Sequence, residues 1–495
     1  MPDGPLRLEA APHFRPPSLE ELGADLHVVD GGRAQLVSSY WDTPDLRLAR
    51  WGVSLVHSDD QGWVVWQPPG DHGAPVTDRV PMAGVADAPP DAALDLIRAY
   101  VRDAILAPVA RVRRIRRTVA VHDAEDTELV RVLSDEISVL DGRRVAVRFR
   151  QVILDAPPHA DIALVHGVLT RLRAAGAGGP DTADEHDRVL GPRASEPPEI
   201  SVPALGPEAS LADSVKAMIA SSVTRLMRHD AGVRAGDGSE PVHQARVATR
   251  RMRSDLDTFR DVLDADRLRR VRTELKWLGG LLGEVRDTDV LISRIGHRLK
   301  EVEGPPAGRK ALLESLVERR AEARRKLMAG MRGVRYSRLL DMLVEVAQDP
   351  PLKVPGDQPA RLVLPGLAAT PWRVLAKTVH KLPRDPADEQ LHAVRIAAKR
   401  SRYAAEAAAP VIGRPAERFA EAIAGVQETL GDFNDAVVAR QWLTSVAPSL
   451  DVGGAFYAGV LSERERSLGK AAASGWKKAW KAVDQGKLLR WMLDE

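Results

Sequence analysis

Residues 242–253 read Val-His-Gln-Ala-Arg-Val-Ala-Thr-Arg-Arg-Met-Arg, and residues 391–402 read Leu-His-Ala-Val-Arg-Ile-Ala-Ala-Lys-Arg-Ser-Arg. Each has a histidine (His243, His392) followed by basic residues at i+3 (Arg246, Arg395), i+7 (Arg250, Lys399), i+8 (Arg251, Arg400) and i+10 (Arg253, Arg402). A helix N-cap candidate stands four residues before each histidine, Ser239 in one copy and Asp388 in the other. Further on, Leu282-Gly283-Glu284-Val285-Arg286-Asp287 aligns with Leu430-Gly431-Asp432-Phe433-Asn434-Asp435. The histidine-to-aspartate separations are 44 and 43 residues, so the C-terminal part is an internal duplication.

On a helix, at about 100° per residue, positions i, i+3, i+7 and i+10 share an arc of about 80° over three turns. The i+8 arginines flank that stripe. Like charges this close repel, and an anion lying along the helix would relieve the repulsion. The ordinary reading of one such stripe is a solvated helix face. Two copies with matched histidine, cap and aspartate spacing favour a binding surface instead. Arg228 and Lys377 each lie 15 residues before the repeat histidine, with Arg225 and Lys381 nearby. Arg325 and Arg332 follow in copy one, and Lys470, Lys477 and Lys478 in copy two. For His243 and His392, a structural role near the helix start weighs as much as ligand contact. No His-x-x-x-His or carboxylate pair accompanies them, so no metal is expected there. Asp287 and Asp435 read as groups that orient arginines. Leu256, Phe259 and Leu263 have ordinary core spacing.

The pattern resembles the CHAD family of histidine-bearing α-helical domains over about residues 210–490, both repeats included. The resemblance implies two pseudo-symmetric four-helix bundles with a basic cavity between them, and binding of inorganic polyphosphate. The ligand set it nominates comprises Arg225, Arg228, His243, Arg246, Arg250, Arg251, Arg253, Arg325, Arg332, Lys377, Lys381, His392, Arg395, Lys399, Arg400, Arg402, Lys470, Lys477 and Lys478. Arginine forks suit phosphate oxygens, and a linear chain of phosphates needs cations repeated along its length.

Charge divides the chain. Overall, 71 Lys+Arg face 69 Asp+Glu, a net of +2 over 495 residues. Residues 1–210 hold 22 basic and 32 acidic residues, net −10; residues 211–495 hold 49 and 37, net +12. Near-neutrality is thus the sum of two opposed halves, and the basic half suits a phosphate-rich partner. Residues 176–208, rich in Gly, Pro and acids, read as a linker or a loosely packed excursion. The expected organisation is a domain at 1–195, a linker at 196–209 and a helical domain at 210–495, with repeats at about 210–345 and 360–490. Helical periodicity runs through 211–495, with breakers at Gly232–Gly238, Gly304-Pro305-Pro306, Pro350–Pro359, Pro383–Pro386 and Gly453-Gly454.

The N-terminal part reads as α+β with an antiparallel sheet, barrel-like or tunnel-like. Strands are expected at Ala34–Ser38, Val53–Val56, Gly62–Trp66, Thr118–Val121, Glu128–Leu133, Glu136–Leu140 and Val145–Leu154, and helices at Asp91–Ala107 and His159–Ala175. The stretch Ser39-Tyr40-Trp41-Asp42-Thr43-Pro44-Asp45-Leu46-Arg47-Leu48 resembles the CYTH, or triphosphate tunnel, fold, over about residues 5–195. That resemblance implies carboxylates holding a divalent metal and basic strands holding a triphosphate. Most of those positions depart from the pattern. The opening acidic strand keeps only Glu9, the expected arginine strand reads Leu55-Val56-His57-Ser58, and a closing Ser-x-x-Ser-Lys is replaced by Asp181–Asp187. The basic run Arg111–Arg117 reads as a solvated face in preference to a barrel interior. A scaffold without the catalytic site is therefore expected, with no catalytic residue, metal or cofactor.

Cysteine is absent, which excludes disulfides, thiol nucleophiles and Cys-ligated metals. No apolar run approaches the roughly 18 residues that cross a bilayer, and residues 1–4 carry no basic or apolar leader pattern. The expectation is a cytoplasmic protein, associated with polyphosphate granules and not with membranes. Two readings compete: a metal-dependent triphosphatase or polyphosphatase of the CYTH fold, and a protein that grips a nucleic-acid backbone. Aromatics are 4% of the chain and do not interleave with the basic stripes, which disfavours base stacking.

Overall fold

The computed structural model describes residues 5–20, 22–23, 25–67, 80–157, 160–181 and 185–493. The chain forms two compact units, Met1–Pro198 and Glu199–Glu495.

Among the described residues, the first unit is built on nine strands: β1 (Leu6–Ala10), β2 (His27–Asp42), β3 (Ser54–Ser58), β4 (Gly62–Trp66), β5 (Val80–Met82), β6 (Ala107–His122), β7 (Glu128–Asp141), β8 (Arg144–Asp155) and β9 (Ala177–Pro180). They pair antiparallel in the order β5-β4-β3-β2-β6-β7-β8-β1-β9. The long partners β2 and β6 pair from His27↔His122 to Asp42↔Ala107, with register shifts between Asp30 and Arg33 and between Tyr40 and Trp41. Residues of β1 and β8 (Arg7, Gln151, Ile153) and of β3 and β4 (Ser54, Val56, Val64, Trp66) line one cavity. Strands from opposite parts of the ladder meet around that space, so the sheet curls and fits a CYTH-like tunnel. Its short helices are α1 (Arg47–Arg50), α2 (Asp91–Val101), α3 (Ile162–Ala174) and α4 (Glu185–Leu190). Leu164, Val165, Val168 and Leu172 of α3 cover one end of the sheet against Leu8, Val121, Val132 and Val152.

Several expectations need correction. The two strands expected at 128–140 are the single β7, and the basic run Arg111–Arg117 lies inside β6. The strands β1, β5 and β9 have 5, 3 and 4 residues, too short to show a period. Residues 177–181 and 185–195 are not a loose excursion. They supply β9, α4 and a 3₁₀ turn at Pro192–Ser195, with Val189 and Ala194 buried. The helix expected at His159–Ala175 is α3; His159 lies outside the described residues, as do residues 182–184 of the altered closing motif.

The second unit is all-helical: α5 (Leu211–Ala235), α6 (Glu240–Thr258), α7 (Ala265–Leu299), α8 (Pro306–Arg332), α9 (Val334–Gln348), α10 (Ala360–His380), α11 (Asp388–Ile412), α12 (Arg414–Val446), α13 (Val452–Val483) and α14 (Gly486–Leu493). Helices α5–α9 form one bundle, in which α9 packs against α5, α7 and α8, and helices α10–α14 form the other, in which α14 packs against α10 and α12. Apolar residues at helical spacing fill both cores, including Leu256, Phe259 and Leu263 in the first and Trp372, Phe419 and Leu430 in the second. A further core joins the bundles at one end, where Leu291, Ile295 and Leu312 meet Trp442, Tyr457 and Leu461. Beside it, buried Glu465 on α13 accepts from Arg294 of α7 at 2.8 and 2.6 Å.

Two local readings change here. Gly453 and Gly454 do not break a helix; they lie in the first turn of α13, where α8 crosses closely. A Cβ on Gly308 would stand 2.2 Å from the Gly453 carbonyl carbon, so the crossing needs glycine. Asp388 is the first residue of α11 and not its N-cap, which is Ala387. The Asp388 carboxylate accepts from Arg440 at 3.2 Å instead. Ser239 is the N-cap of α6 in backbone terms, without a capping bond from its side chain.

Candidate functional site

The repeated motifs fall on α6 and α11, which pack against each other across the two bundles. Their i+3 and i+7 cations form one cluster: Arg246 and Arg250 from α6, Arg395 and Lys399 from α11. Burial pulls the Arg246 guanidinium below its ordinary value, and Arg250, Arg286 and Arg395 push the same way against Asp287. Burial does the same to Arg395, with Arg250 adding to it and Asp435 opposing. For Lys399, burial and the charges of Arg250, Arg395 and Arg246 bring the ammonium down to about 7. The opposing carboxylates are the repeat aspartates: Arg246 donates to Asp287 at 3.1 Å and to the Gly279 carbonyl at 3.2 Å. The buried Arg395 Nε has no hydrogen-bond partner among the described residues. Four cations thus face two carboxylates in a partly desolvated space, which leaves positive charge uncompensated.

The i+8 and i+10 positions behave differently. Arg251 of α6 donates to Glu406 of α11 at 2.6 Å, and Arg400 of α11 stands 4.0 Å from Asp257 of α6. In each copy the i+8 arginine reaches the i+14 carboxylate of the other, so the pair repeats the pseudo-symmetry of the sequence. Arg251 also lies 3.7 Å from Asp255, a fully buried carboxyl that burial pushes up to about 7. Arg250 donates to the Tyr403 hydroxyl at 2.8 Å, and the Arg250 and Arg251 guanidinium groups lie over that ring. Arg402 donates to Glu406 at 2.7 Å, while Arg253 is exposed. The i+8 arginines therefore tie the two bundles together, whereas i+3 and i+7 build the cluster.

The two histidines diverge. His243 is half-buried, and burial, with Arg286 next, pulls its imidazole below the usual range. His392 is exposed and its Nδ1 is hydrogen-bonded to Asn434 Oδ1 at 2.8 Å. Arg286 was not among the residues nominated from sequence. It occupies the repeat position of Asn434, and its charge bears on both His243 and Arg246. Of the remaining nominees, Arg225 lines a cavity of about 290 Å³ with Arg251 and Glu406. Arg228, Arg325, Arg332, Lys377, Lys381, Lys470, Lys477 and Lys478 are exposed on α5, α8, α10 and α13 and on the turn after α10. Arg325 pairs with Glu322 on its own helix, and Lys477 donates to the Arg384 carbonyl at 3.0 Å. Arg324, in the basic run of α8, caps α5 by donating to the Val233 and Arg234 carbonyls, both at 2.8 Å.

In the first unit, the tunnel cavity measures about 470 Å³. Arg114 and Arg116 of β6 line it, which corrects the solvated-face reading for these two residues. Strand alternation turns every second residue of the run inward. Their charges are taken up locally: Arg116 makes a two-point pair with buried Asp135 at 2.8 and 2.7 Å, and Arg114 pairs with Glu185 of α4. Glu9 is exposed, with Arg188 at 4.0 Å. The Asp42 of the Tyr-Trp-Asp-Thr stretch is buried and accepts from the backbone N–H groups of Thr43, Leu48 and Ala49 at 2.6, 2.9 and 2.9 Å. Its work is to hold the turn into α1.

The CHAD-domain profile matches residues 217–444. Two proteins of Mycobacterium tuberculosis, the uncharacterized proteins MT2285 (strain CDC 1551 / Oshkosh) and Rv2226 (strain H37Rv), are each 30% identical over 498 residues, covering 95% of this chain and 94% of their own length. Among solved structures, PptA from Streptomyces chartreusis is similar at 23% identity and a TM-score of 0.47, over 55% of this chain and all of that one. The CHAD domain from the plant Ricinus communis is similar at 24% identity and a TM-score of 0.48, over 57% of this chain and 95% of that one. With the profile covering both histidine–aspartate motifs and relatives matched along nearly their whole length, the chain belongs to the CHAD-domain family.

Proposed function

We propose that the helical unit binds inorganic polyphosphate at the Arg246–Arg250–Arg395–Lys399 cluster, with the exposed arginines and lysines of α5, α8, α10 and α13 extending the contact. The observation that carries this reading is the charge imbalance at the α6–α11 crossing: four cations, partly desolvated, against Asp287 and Asp435. A cluster that lowers the charge affinity of its own members is stabilised by a polyanion, and arginine forks match phosphate oxygens. The family resemblance points to the same ligand. The tunnel of the first unit supports a scaffold role in preference to hydrolysis, because Arg114 and Arg116 are already paired with Glu185 and Asp135. Recruitment to polyphosphate granules in the cytoplasm is the cellular setting that fits this activity.

The test is binding of long-chain polyphosphate to the full chain and to an Arg246→Glu, Arg395→Glu double variant. The variant should lose binding while keeping its helical circular dichroism, and wild-type affinity should fall steeply with salt. Unchanged affinity in the folded variant would refute the site. Competition with duplex DNA at matched salt separates this reading from a general grip on nucleic-acid backbones. Phosphate release with Mg²⁺ or Mn²⁺, abolished by Glu9→Gln, would instead favour the triphosphatase reading.

A further inference from the structure

A second group of side chains lies in the first unit, at the end of the β2–β6 ladder. His27 opens β2 and His122 closes β6, and the two are direct cross-strand partners. Their rings lie 5.5 Å apart between centroids. Asp126, in the turn from β6 to β7, points its carboxylate at both: Oδ1 is 3.2 Å from His27 Nε2 and 3.3 Å from His122 Nδ1. In the metal-free site His122 Nδ1 donates to the Asp126 backbone carbonyl at 3.0 Å, a bond that an ion at this nitrogen would replace. One ligand atom from each of the three residues falls within 4.8 Å of the others. In the sequence the group is invisible, because 95 residues separate the two histidines and the only local spacing is His122-x-x-x-Asp126.

The geometry is more specific than three polar groups meeting at a surface. A tetrahedral ion bound through nitrogen and oxygen at about 2.0–2.1 Å sets its ligand atoms about 3.3 Å apart. The two separations from Asp126 Oδ1 match that edge. They also lie at the long end of the hydrogen-bond range, and His27 Nε2 and Asp126 Oδ1 are hydrogen-bonded in the metal-free site. The turn also holds Asp126 in place. The Asp123 carboxylate accepts from the N–H groups of Glu125 and Thr127 at 3.1 and 2.8 Å. Asp126 itself has φ 64°, a left-handed conformation that aspartate tolerates better than most residues. His122 also borders a shallow cavity of about 340 Å³, which leaves room for a water or other outer ligand.

We propose that His27, His122 and Asp126 form a binding site for one divalent transition-metal ion of the zinc class. Two imidazoles and one carboxylate suit Zn²⁺, Co²⁺ or Ni²⁺, whereas Ca²⁺ and Mg²⁺ require oxygen-rich shells. Such an ion would fasten the free ends of β2 and β6 to the following turn.

The experiment is isothermal titration of untagged full-length protein with Zn²⁺, in the absence of polyphosphate, together with the visible spectrum of the Co²⁺ form. One ion per chain and tetrahedral Co²⁺ bands are expected. Affinity should fall about tenfold or more in a His27→Gln, His122→Gln variant. Asp126→Gly retains the left-handed turn and removes the carboxylate, so it should weaken binding while its metal-free melting temperature stays near wild type. No saturable binding by wild type overturns the proposal, as does unchanged affinity in the double histidine variant. If that variant fails to fold, unchanged affinity in Asp126→Gly overturns it alone.

Discussion

Lys399 sits among three arginines with an ammonium whose proton is lost near pH 7 instead of near its ordinary 10.5. The consequence for stability has a definite sign. Between pH 7 and 10.5 the folded chain binds fewer protons at this position than the unfolded chain, so its penalty shrinks as pH rises through that window and is full below pH 7. Replacing it should therefore stabilise the fold and cost function. Lys399→Met is expected to raise the melting temperature at pH 6 and to weaken polyphosphate binding. At pH 9 the gain in melting temperature should shrink. A melting temperature lowered at pH 6 would contradict the crowded-charge account. Binding of a polyanion should also take up a proton near pH 8, since the bound phosphate restores the ammonium. The equivalent i+7 residue in the other copy is Arg250, which donates to the Tyr403 hydroxyl.

At the scale of elements, α6 and α11 carry two functions on neighbouring arcs. One arc builds the cation cluster, and the other makes the Arg251–Glu406 and Arg400–Asp257 cross-links. Arg251 is the more enclosed link, and its loss removes the cation beside the buried Asp255 and leaves Glu406 with Arg402 of its own helix alone. Arg251→Ala should destabilise the helical unit by about 1–3 kcal/mol, while the exposed Arg253→Ala should change stability by about 0.5 kcal/mol or less. Denaturant melts of the two variants check this, and equal effects would remove the distinction between i+8 and i+10. Helical periodicity alone could not make it. At +80° from the histidine, an i+8 arginine can flank a ligand groove or reach a partner helix, and only the packing of α11 against α6 decides between them.

At the scale of the molecule, the near-neutral chain is an acidic unit and a basic unit, each with its own core. If binding belongs to the helical unit, residues 199–495 expressed alone should retain polyphosphate affinity, and residues 1–198 alone should show none at physiological salt. Binding carried by the first fragment would move the site to the tunnel. The charge division, the duplication and the helical character of the second unit were all legible in the sequence. Periodicity, spacing and charge are local properties, and a repeat of 43–44 residues between histidine and aspartate survives without any knowledge of contacts. The resemblance to the CHAD family rests on the same residues, and the profile match at residues 217–444 agrees with it.

What the tertiary structure decided concerns pairs far apart in the chain. It turned Arg114 and Arg116 into a tunnel and matched them with Asp135 and Glu185. It brought Arg286 to His243, joined Arg251 to Glu406 over 155 residues, and set His27 beside His122. Each of these depends on which strand or helix face meets which. That choice is made by burying apolar surface over the whole unit, and side-chain charge follows from it. The sequence by itself determined that this protein carries two basic, histidine-bearing helical repeats. Which of their cations lie together and uncompensated was settled only when α6 met α11.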